Sequence, residues 1–349
     1  MTHRLHLTLA ATLLLFAPSG DGMARDKQPP PPPASMPSLP PAVIDDALAI
    51  GGDDIEARKV RTRMTVDVAV NERGPYRFVV DSGADTSVIG RRIANELGLP
   101  PGSPAMLNAM TATSRVDRVK VDTLSLGHSV IDDLQLPVLD EQHVGGAGMI
   151  GIDALVEQRL LLDFEKRLIK VEDARRPAVT LGDEIVVTAR RRRGQLILTE
   201  VKAAGLPLDA VIDTGSEITI GNIALRDRLM RRHSDKFVTV AITGVTGVTI
   251  DVQLARIGEL KLGSVTLRNV PMAFADVPPF AAFGLSSEPA LLLGTDVMET
   301  FRRVSLDFRA RKVRFQLKRC GTAGIILSTS FSSSLTRLSS GDNAAVCRR

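Results

Sequence analysis

The chain has 349 residues, of which 44% are hydrophobic, and a formal net charge of +4. This length can bury one large core or two moderate ones, and the composition excludes a disordered or fibrous protein. Tryptophan is absent and Tyr76 is the one tyrosine, so a platform that stacks single-stranded nucleic acid is poorly supported. The one dense basic run, residues 190–193, is more typical of a solvated linker than of a phosphate site. We therefore expect no nucleic-acid partner.

The first 24 residues are typical of an export signal. Arg4 precedes a short apolar run, LHLTLAATLLLFA, and small residues at positions 22–24 offer a cleavage site. The run is shorter than the about 20 residues of a membrane-spanning helix, so a retained anchor is the weaker alternative. The sequence predicts a signal peptide over residues 1–24, no membrane span after its removal, and a periplasmic or secreted protein.

Two segments of biased composition flank the remainder. Residues 25–57 are rich in proline, which favours an extended, solvated spacer. Residues 320–349 form a serine-rich tail that contains both cysteines of the chain, Cys320 and Cys347. In an exported chain these cysteines most simply form one disulfide that closes the tail into a loop, and an unpaired or intermolecular state is the alternative.

Between these segments the chain repeats itself, over nearly all of residues 60–318. Each copy begins with two strand-like runs and a turn that lead to an aspartate, Asp81 in FVVDSGADTSVIG and Asp213 in DAVIDTGSEITIG. Each continues with a short helical stretch, a strand pair around a glycine turn, and an apolar-apolar-Gly-x-Asp element. The sequence therefore predicts two homologous lobes.

Alternating apolar and polar residues with frequent turns predict that both lobes are mostly β, with two short helices at most in each copy. We place the N-terminal lobe at residues 58–180 and the C-terminal lobe at residues 194–319. A basic linker, residues 181–193, joins them, although its EIVVTA segment is also compatible with a strand.

In both copies an aspartate ends an apolar strand and is followed by a hydroxyl residue and a glycine. Gly83 and Gly215 allow a sharp turn and the close approach of another backbone. A lone buried carboxylate is costly, whereas two carboxyls that face each other can share one proton and hold a water between them. Such a pair can act as general base toward the water and as general acid toward a leaving amine.

These residues carry a resemblance to a known family. VVDSGADTSVI resembles the retropepsin motif, and VIDTGSEITI resembles the pepsin-type motif with serine after the glycine. MIG at residues 149–151 and LLG at residues 292–294 resemble the second signature, which packs beneath the catalytic loop. The chain looks like a two-lobed aspartic peptidase, similar to bacterial retropepsin-like peptidases in which two repeats are fused.

The resemblance implies an all-β fold of two β-barrel lobes with short helices and an active-site cleft between them. It implies an aspartic endopeptidase, a hydrolase that acts on an extended polypeptide without a cofactor, and a monomer whose lobes pair within the chain. Asp81 and Asp213 would be the catalytic pair, and the hydroxyls of Ser82 and Thr214 would brace the two loops. The expected active-site loop residues are Ser82, Gly83, Ala84, Thr214, Gly215 and Ser216.

Two segments are candidate flaps over the cleft: LNAMTATSRVD in the first copy and ITGVTGVTID in the second. Pepsin-like enzymes usually carry a tyrosine on the flap, whereas Tyr76 precedes Asp81. Only the second candidate contains glycine, so we expect unequal flaps. The predicted flap and substrate-binding residues are Thr111, Gly244, Thr246 and Gly247.

Other interpretations are less specific. An isolated Asp-Ser-Gly is a common turn, and a catalytically inactive peptide- or protein-binding module of the same fold is the alternative function. A serine-peptidase site is disfavoured because no histidine recurs at an equivalent repeat position, and neither His-Glu-x-x-His nor a cysteine cluster indicates a metal. Four further aspartates have structural interpretations: helix caps at Asp153 and Asp296, and turns at Asp163 and Asp307.

The residue after each glycine predicts an asymmetry within the pair. The hydroxyl of Ser216 could donate a hydrogen bond to Asp213, whereas Ala84 has no hydroxyl for Asp81. The sequence thus predicts that Asp213 favours the ionised form and that Asp81 more often carries the shared proton.

Overall fold

The structure, a computed structural model, describes residues 53–56, 58–60, 63–127, 129–155, 158–175, 177–178, 184–230, 237–318 and 325–326. All of these residues belong to the same compact unit. The strands of the N-terminal half are β1 (Asp53–Glu56), β2 (Arg58–Val60), β3 (Arg63–Val70), β4 (Arg73–Val80), β5 (Val88–Gly90), β6 (Ala105–Asn108), β7 (Thr113–Val116), β8 (Arg118–Leu126), β9 (Ser129–Leu139), β10 (Gly148–Ile150), β11 (Gln158–Asp163) and β12 (Leu168–Asp173).

The strands of the C-terminal half are β13 (Ile185–Arg192), β14 (Gln195–Ala203), β15 (Leu206–Ile212), β16 (Ile220–Gly221), β17 (Val238–Thr243), β18 (Thr249–Leu262), β19 (Val265–Phe274), β20 (Ala290–Leu293), β21 (Arg303–Asp307), β22 (Lys312–Gln316) and β23 (Ile325–Ile326). The helices are α1 (Arg91–Glu96), α2 (Glu141–Val144), a 3₁₀ turn (Ile152–Ala154), α3 (Ile223–Met230), α4 (Pro278–Ala282) and α5 (Thr295–Met298).

Each half closes a barrel of six strands, and the two barrels are built alike. The first runs β3-β4-β10-β5-β9-β8 and closes through β3–β8; the second runs β14-β15-β20-β16-β19-β18 and closes through β14–β18. The strand before each candidate aspartate is parallel to the later apolar strand, β4 to β10 and β15 to β20. The predicted all-β fold of two homologous barrel lobes is therefore confirmed.

Alternation along the strands fills the barrels. In β3 the side chains of Met64, Val66, Val68 and Val70 are buried whereas Asp67 is exposed. Each such aliphatic side chain contributes about 1.5–3 kcal/mol when it is fully buried. This alternation fixes the register of β3, because a shift of one residue would turn the apolar side chains to solvent.

A further sheet joins the two halves, with the strand order β1-β12-β11-β21-β22-β13. At its centre β11 and β21 pair antiparallel, which sets Arg159 opposite Asp307 and Asp163 opposite Arg303. Both pairs form ion pairs between the halves, with Nε–Oδ2 distances of 2.9 Å for Arg159–Asp307 and 2.6 Å for Arg303–Asp163. Because these carboxylates are almost fully buried, the guanidinium groups supply the compensation that a buried charge requires.

The same two aspartates close turns, as the sequence predicted. The second carboxylate oxygen of Asp163 accepts the N–H of Lys166 at 2.7 Å, and that of Asp307 accepts the N–H of Ala310 at 2.7 Å. Each of these two side chains therefore closes a hairpin turn and also forms an ion pair with the other half of the chain. The sequence pattern predicted only the turns.

The segment predicted as a basic linker, residues 181–193, contains strand β13. Its first half pairs with β22 in the joining sheet, and its second half pairs with β14 of the second barrel. Val187 and Ala189 are buried while the arginines that follow are exposed, so the charge marks the solvent face of a strand. Strand β1 likewise falls within the proline-rich segment 25–57, and β23 within the tail 320–349.

Each half has a third helical segment, whereas the sequence predicted two at most. The additional segments are turns of three to five residues, too short to give a helical periodicity. In the part of the chain that the structure describes, no helix is long and apolar enough to cross a membrane. The predicted signal peptide and the predicted Cys320–Cys347 disulfide lie outside the described residues.

Candidate active site

Asp81 and Asp213 each follow the strand that leads into the centre of their lobe. The N–H of Asp81 donates to the carbonyl of Ile150 in β10 at 2.9 Å, and the N–H of Asp213 donates to the carbonyl of Leu293 in β20 at 3.1 Å. Both side chains are buried, with 9% and 6% of their surface exposed. The parallel strand pair of each barrel thus holds one aspartate in the interior.

The two loops meet at their glycines. A Cβ on Gly83 would lie 2.7 Å from Cγ of Asp213, and a Cβ on Gly215 would overlap the carboxyl group of Asp81. Real Cβ atoms do not approach other atoms so closely, so each carboxyl occupies space that only a glycine in the opposite loop leaves open. The structure therefore brings the two predicted aspartates together.

Each carboxylate also accepts hydrogen bonds from its own loop. Oδ1 of Asp81 accepts the N–H groups of Gly83 and Ala84 at 2.8 and 3.1 Å. Oδ1 of Asp213 accepts the equivalent two N–H groups of its loop at 3.0 and 2.9 Å. These bonds hold Oδ1 of each aspartate against its own loop, and neither of them uses Oδ2.

Ser82 and Thr214 brace the loops reciprocally. The Ser82 hydroxyl accepts the N–H of Thr214 at 3.2 Å and donates to the carbonyl of Ile212 at 3.0 Å. The Thr214 hydroxyl accepts the N–H of Ser82 at 2.9 Å and donates to the carbonyl of Val80 at 2.8 Å. All four bonds are buried, so they fix each aspartate relative to the opposite lobe.

Burial dominates the acidity of the pair. It raises the pKa of Asp81, against hydrogen bonds from Gly83 and Ala84 and the positive charge of Arg63. Burial raises the pKa of Asp213 well above its ordinary value, and the negative charge of Asp81 adds to that rise. Each carboxyl lies against the glycine of the opposite loop and is among the groups that shift the pKa of the other, so the pair favours a single shared proton.

The predicted role of the Ser216 hydroxyl is wrong. This hydroxyl donates to the carbonyl of Ile218 at 2.7 Å, and only the backbone N–H of Ser216 reaches Asp213. Ala84 offers Asp81 the same backbone hydrogen bond, so the residue after the glycine creates no asymmetry. The Ser216 hydroxyl therefore gives no reason for either carboxyl to be the ionised one.

The second signature lies directly beneath the loops. A Cβ on Gly151 would lie 2.6 Å from the backbone of Thr86, and a Cβ on Gly294 would lie 2.6 Å from the backbone of Ile218. These glycines let the strands β10 and β20 approach the loops more closely than any side chain would allow.

Asp153 and Asp296 hold the far ends of the loops. The Asp153 carboxylate accepts both the hydroxyl and the N–H of Ser87, at 2.6 and 2.8 Å. Asp296 accepts the same two groups of Thr219 at 2.7 and 3.0 Å. Both aspartates lie within their helical turns and the cap position belongs to a glycine, so the predicted capping role is wrong. Recurrence of a hydroxyl residue six positions after the candidate aspartate in both repeats could have indicated these partners.

The two candidate flaps are β-hairpins whose tips contact each other. The turn between β6 and β7 carries Thr111, and the turn between β17 and β18 carries the predicted residues Gly244, Thr246 and Gly247. A Cβ on Gly244 would overlap the hydroxyl of Thr111, and one on Gly247 would lie 2.8 Å from the ring of His143 in the N-terminal lobe. The structure thus brings the four predicted flap residues together.

Each flap packs on the opposite lobe. Met110 contacts an apolar cluster of the C-terminal lobe that includes Ile197 and Phe280. Val245 contacts an apolar cluster of the N-terminal lobe that includes Val144. Each hairpin therefore contributes one apolar side chain to a cluster of the other lobe, although the sequences of the two hairpins are unequal.

Two residues at the barrel entrances make further contacts between the lobes, and the sequence analysis missed both. Arg63 forms an ion pair with Glu217 at 3.2 Å and donates to the carbonyl of Val144 at 3.0 Å. Gln195 donates to the carboxylate of Asp85.

Within the described residues, no group of three or more His, Cys, Asp or Glu side chains is arranged to hold a metal ion.

Both repeats match the model of a known protein family. The model of a family described as aspartyl protease matches residues 66–154 and 199–297, one match in each repeat. Together the two matches span more than half of the chain, and they contain both candidate aspartates. No curated protein matches the chain.

Proposed function

Because this chain belongs to the retropepsin-like aspartyl protease family, we propose that it is an aspartic endopeptidase that hydrolyses peptide bonds of an extended polypeptide. One observation carries the proposal. Two buried carboxyls, Asp81 and Asp213, come from two repeats, each lie against the glycine of the opposite loop, and are held by loops that brace each other. A structural turn needs neither the shared proton nor the reciprocal brace.

The pair supplies both proton transfers that hydrolysis requires. The ionised carboxylate takes a proton from a water, whose oxygen attacks the peptide carbonyl carbon, while the protonated carboxyl donates to the carbonyl oxygen. A proton then passes to the amide nitrogen, the C–N bond breaks, and the products are a carboxylic acid and an amine. No cofactor enters these steps.

The flaps supply groups for the substrate. The hydroxyl oxygens of Thr111 and Thr246 are buried and have no hydrogen-bond partner in the described part of the chain. An unsatisfied buried polar group costs about 1–3 kcal/mol. In the proposed enzyme these hydroxyls bind the main chain of an extended peptide, which offers a carbonyl and an N–H at every residue.

The test measures cleavage of a denatured protein, with and without a statine inhibitor that mimics the tetrahedral intermediate. We expect cleavage that the inhibitor blocks, and a loss of about 100- to 10,000-fold in Asp81→Asn and in Asp213→Asn. Asp67→Asn is the matched control, because Asp67 lies exposed on a strand of the same lobe and its removal leaves the pair intact. Statine binding without cleavage would instead favour the peptide-binding alternative.

We also propose that the mature protein is periplasmic or secreted. The support comes from the sequence alone, through the charged, apolar and small-residue regions of residues 1–24. Fractionation of cells, with N-terminal sequencing of the exported protein, would test this. A mature chain that retains residues 1–24 in the cytoplasmic fraction would contradict it.

A further inference from the structure

Arg63 and Gln195 occupy equivalent positions in the two repeats but differ in charge. Arg63 begins β3 and precedes Asp81 by 18 residues, and Gln195 begins β14 and precedes Asp213 by the same 18 residues. Both side chains are buried, with 9% and 0% of their surface exposed.

The strand register, continued beyond its last recorded pairs, leads from each of these residues to the aspartate of its own lobe. In the first barrel Thr65 pairs with Val79, and the same register continued by two residues places Arg63 across from Asp81. In the second barrel Ile197 pairs with Val211, and the same step places Gln195 across from Asp213. Arg63 is near enough to Asp81 for its positive charge to lower the pKa of that carboxyl.

Both residues also bind an acidic partner from the opposite loop. Arg63 pairs with Glu217, four residues after Asp213, and Gln195 pairs with Asp85, four residues after Asp81. The two contacts are equivalent in position but not in charge. Arginine with glutamate is neutral in total, whereas glutamine with aspartate leaves one negative charge.

We propose that this difference between Arg63 and Gln195 decides which catalytic carboxyl holds the shared proton. Asp81, across from the guanidinium, stays ionised, and Asp213, across from the neutral amide, is protonated. The inference rests on the proposed function, within which Asp81 becomes the base toward water and Asp213 the acid. Arg63 and Gln195 are positioning residues, since they act through the carboxyls.

Other charged groups around the pair do not reverse this assignment. Asp153 and Asp296 occupy equivalent places behind the two loops, where they bind Ser87 and Thr219, so they act on both sides alike. His143 lies against the flap tip at Gly247. The charge of Arg63 lowers the pKa of Asp81, and burial with the charge of Asp81 raises the pKa of Asp213, in agreement with the assignment.

The experiment reads the protonation state without requiring turnover. The full chain is labelled with ¹³C at the aspartate carboxyls and titrated by NMR, and the Asp81→Asn and Asp213→Asn variants assign the two resonances. We expect the higher pKa at Asp213 in the wild type and in Arg63→Lys, which keeps the charge. In the exchange variant Arg63→Gln/Gln195→Arg we expect the higher pKa at Asp81.

A second readout follows the reaction. Arg63→Gln should move the acidic limb of the pH profile of kcat/KM upward by about one pH unit, since loss of a nearby opposite charge shifts a pKa by about 1–3 units. A merely structural role would lower activity at every pH and leave the limb in place. Circular dichroism shows which variants fold. In Arg63→Lys the lysine can still pair with Glu217, and in the exchange variant the new arginine at position 195 can pair with Asp85.

The outcomes separate the two proposals. A higher pKa at Asp81 in the wild type, or an unchanged assignment in the exchange variant, overturns this inference even if the protein is an active peptidase. The expected assignments in a protein that cleaves nothing would overturn the proposed function and leave the control of the proton by Arg63 and Gln195 standing.

Discussion

At the scale of single residues, four buried hydrogen bonds of Ser82 and Thr214 join the loop of one lobe to the loop of the other. Thr214→Val keeps the shape of the side chain but removes its hydroxyl. The N–H of Ser82 and the carbonyl of Val80 would then be buried without their partner. We expect the free energy of unfolding to fall by about 1–3 kcal/mol, measured by urea denaturation. Thr214→Ser, which retains the hydroxyl, is the control, and equal stability of the two variants would contradict the brace.

Asp296 makes stability depend on pH. Burial raises its pKa from 3.8 to about 6, so the folded state binds the proton more strongly than the unfolded state does. The stabilisation from this proton is complete below pH 4 and is lost as the pH rises through about 6. Since Asp296→Asn resembles the protonated form, the wild type should lose up to about 3 kcal/mol relative to this variant between pH 4 and pH 7.

Urea denaturation of both proteins at each pH measures this difference, in which the contribution of the catalytic pair cancels. Asp276→Asn, the same substitution at an exposed position, is measured alongside as the control. A difference between wild type and Asp296→Asn that stays constant from pH 4 to pH 7 would mean that the carboxyl is not perturbed in the folded protein.

Residues of the site could be predicted where the chemistry is local in sequence. Asp81 and Asp213 stand out because an aspartate, a hydroxyl residue and a glycine follow an apolar strand twice. Contacts between the lobes gave no such signal: the ion pair of Arg63 with Glu217 joins residues that are far apart in the chain. The Ser216 prediction failed because a nearby carbonyl, that of Ile218, captures the hydroxyl.

At the scale of elements, the tips of the two flaps contact each other. A Cβ at position 244 would lie 3.1 Å from Cβ of Thr111, near the separation of about 3.5–4.5 Å in disulfides. In the double variant Thr111→Cys/Gly244→Cys, oxidation should therefore join the flap tips. We expect peptidase activity to fall at least about tenfold on oxidation and to return on reduction, because substrate enters only when the tips part.

The single variant Thr111→Cys controls for the substitution and for the two native cysteines, and its activity should not respond to oxidation. Full activity in the cross-linked double variant, with the bond confirmed by mass spectrometry, would show that substrate enters without separation of these tips.

Elements were predictable where one repeat could be compared with the other. The succession of strands and turns along each lobe follows from alternation and glycine turns, and the second copy repeats it, whereas the pairing of distant strands such as β4 with β10 has no local signal. Strand β13 was harder to predict, because its arginines follow only two buried side chains, Val187 and Ala189. Its pairing partners β22 and β14 lie in different sheets of the fold, and no local pattern reveals a strand that changes neighbours midway.

At the scale of the whole molecule, the joining sheet determines which lobes pair. Strands β11 and β21 come from different halves of one chain and carry two ion pairs between them. Tethered lobes also meet at a high effective concentration, which favours pairing within the chain over pairing between chains. We therefore propose that the enzyme acts as a monomer with one catalytic pair.

Mixing the inactive variants Asp81→Asn and Asp213→Asn tests this pairing. If Asp81 faces Asp213 of its own chain, no molecule in the mixture contains both carboxyls, so the mixture should stay as inactive as either variant alone. If the lobes pair between two chains, denaturing and refolding the proteins together would form some sites with both carboxyls, and part of the activity would return. If like lobes pair, each single variant would keep an intact site and about half of its activity. Because the structure joins the two aspartates and the central strands within one chain, we expect no recovery, and recovered activity would assign the catalytic pair to a dimer.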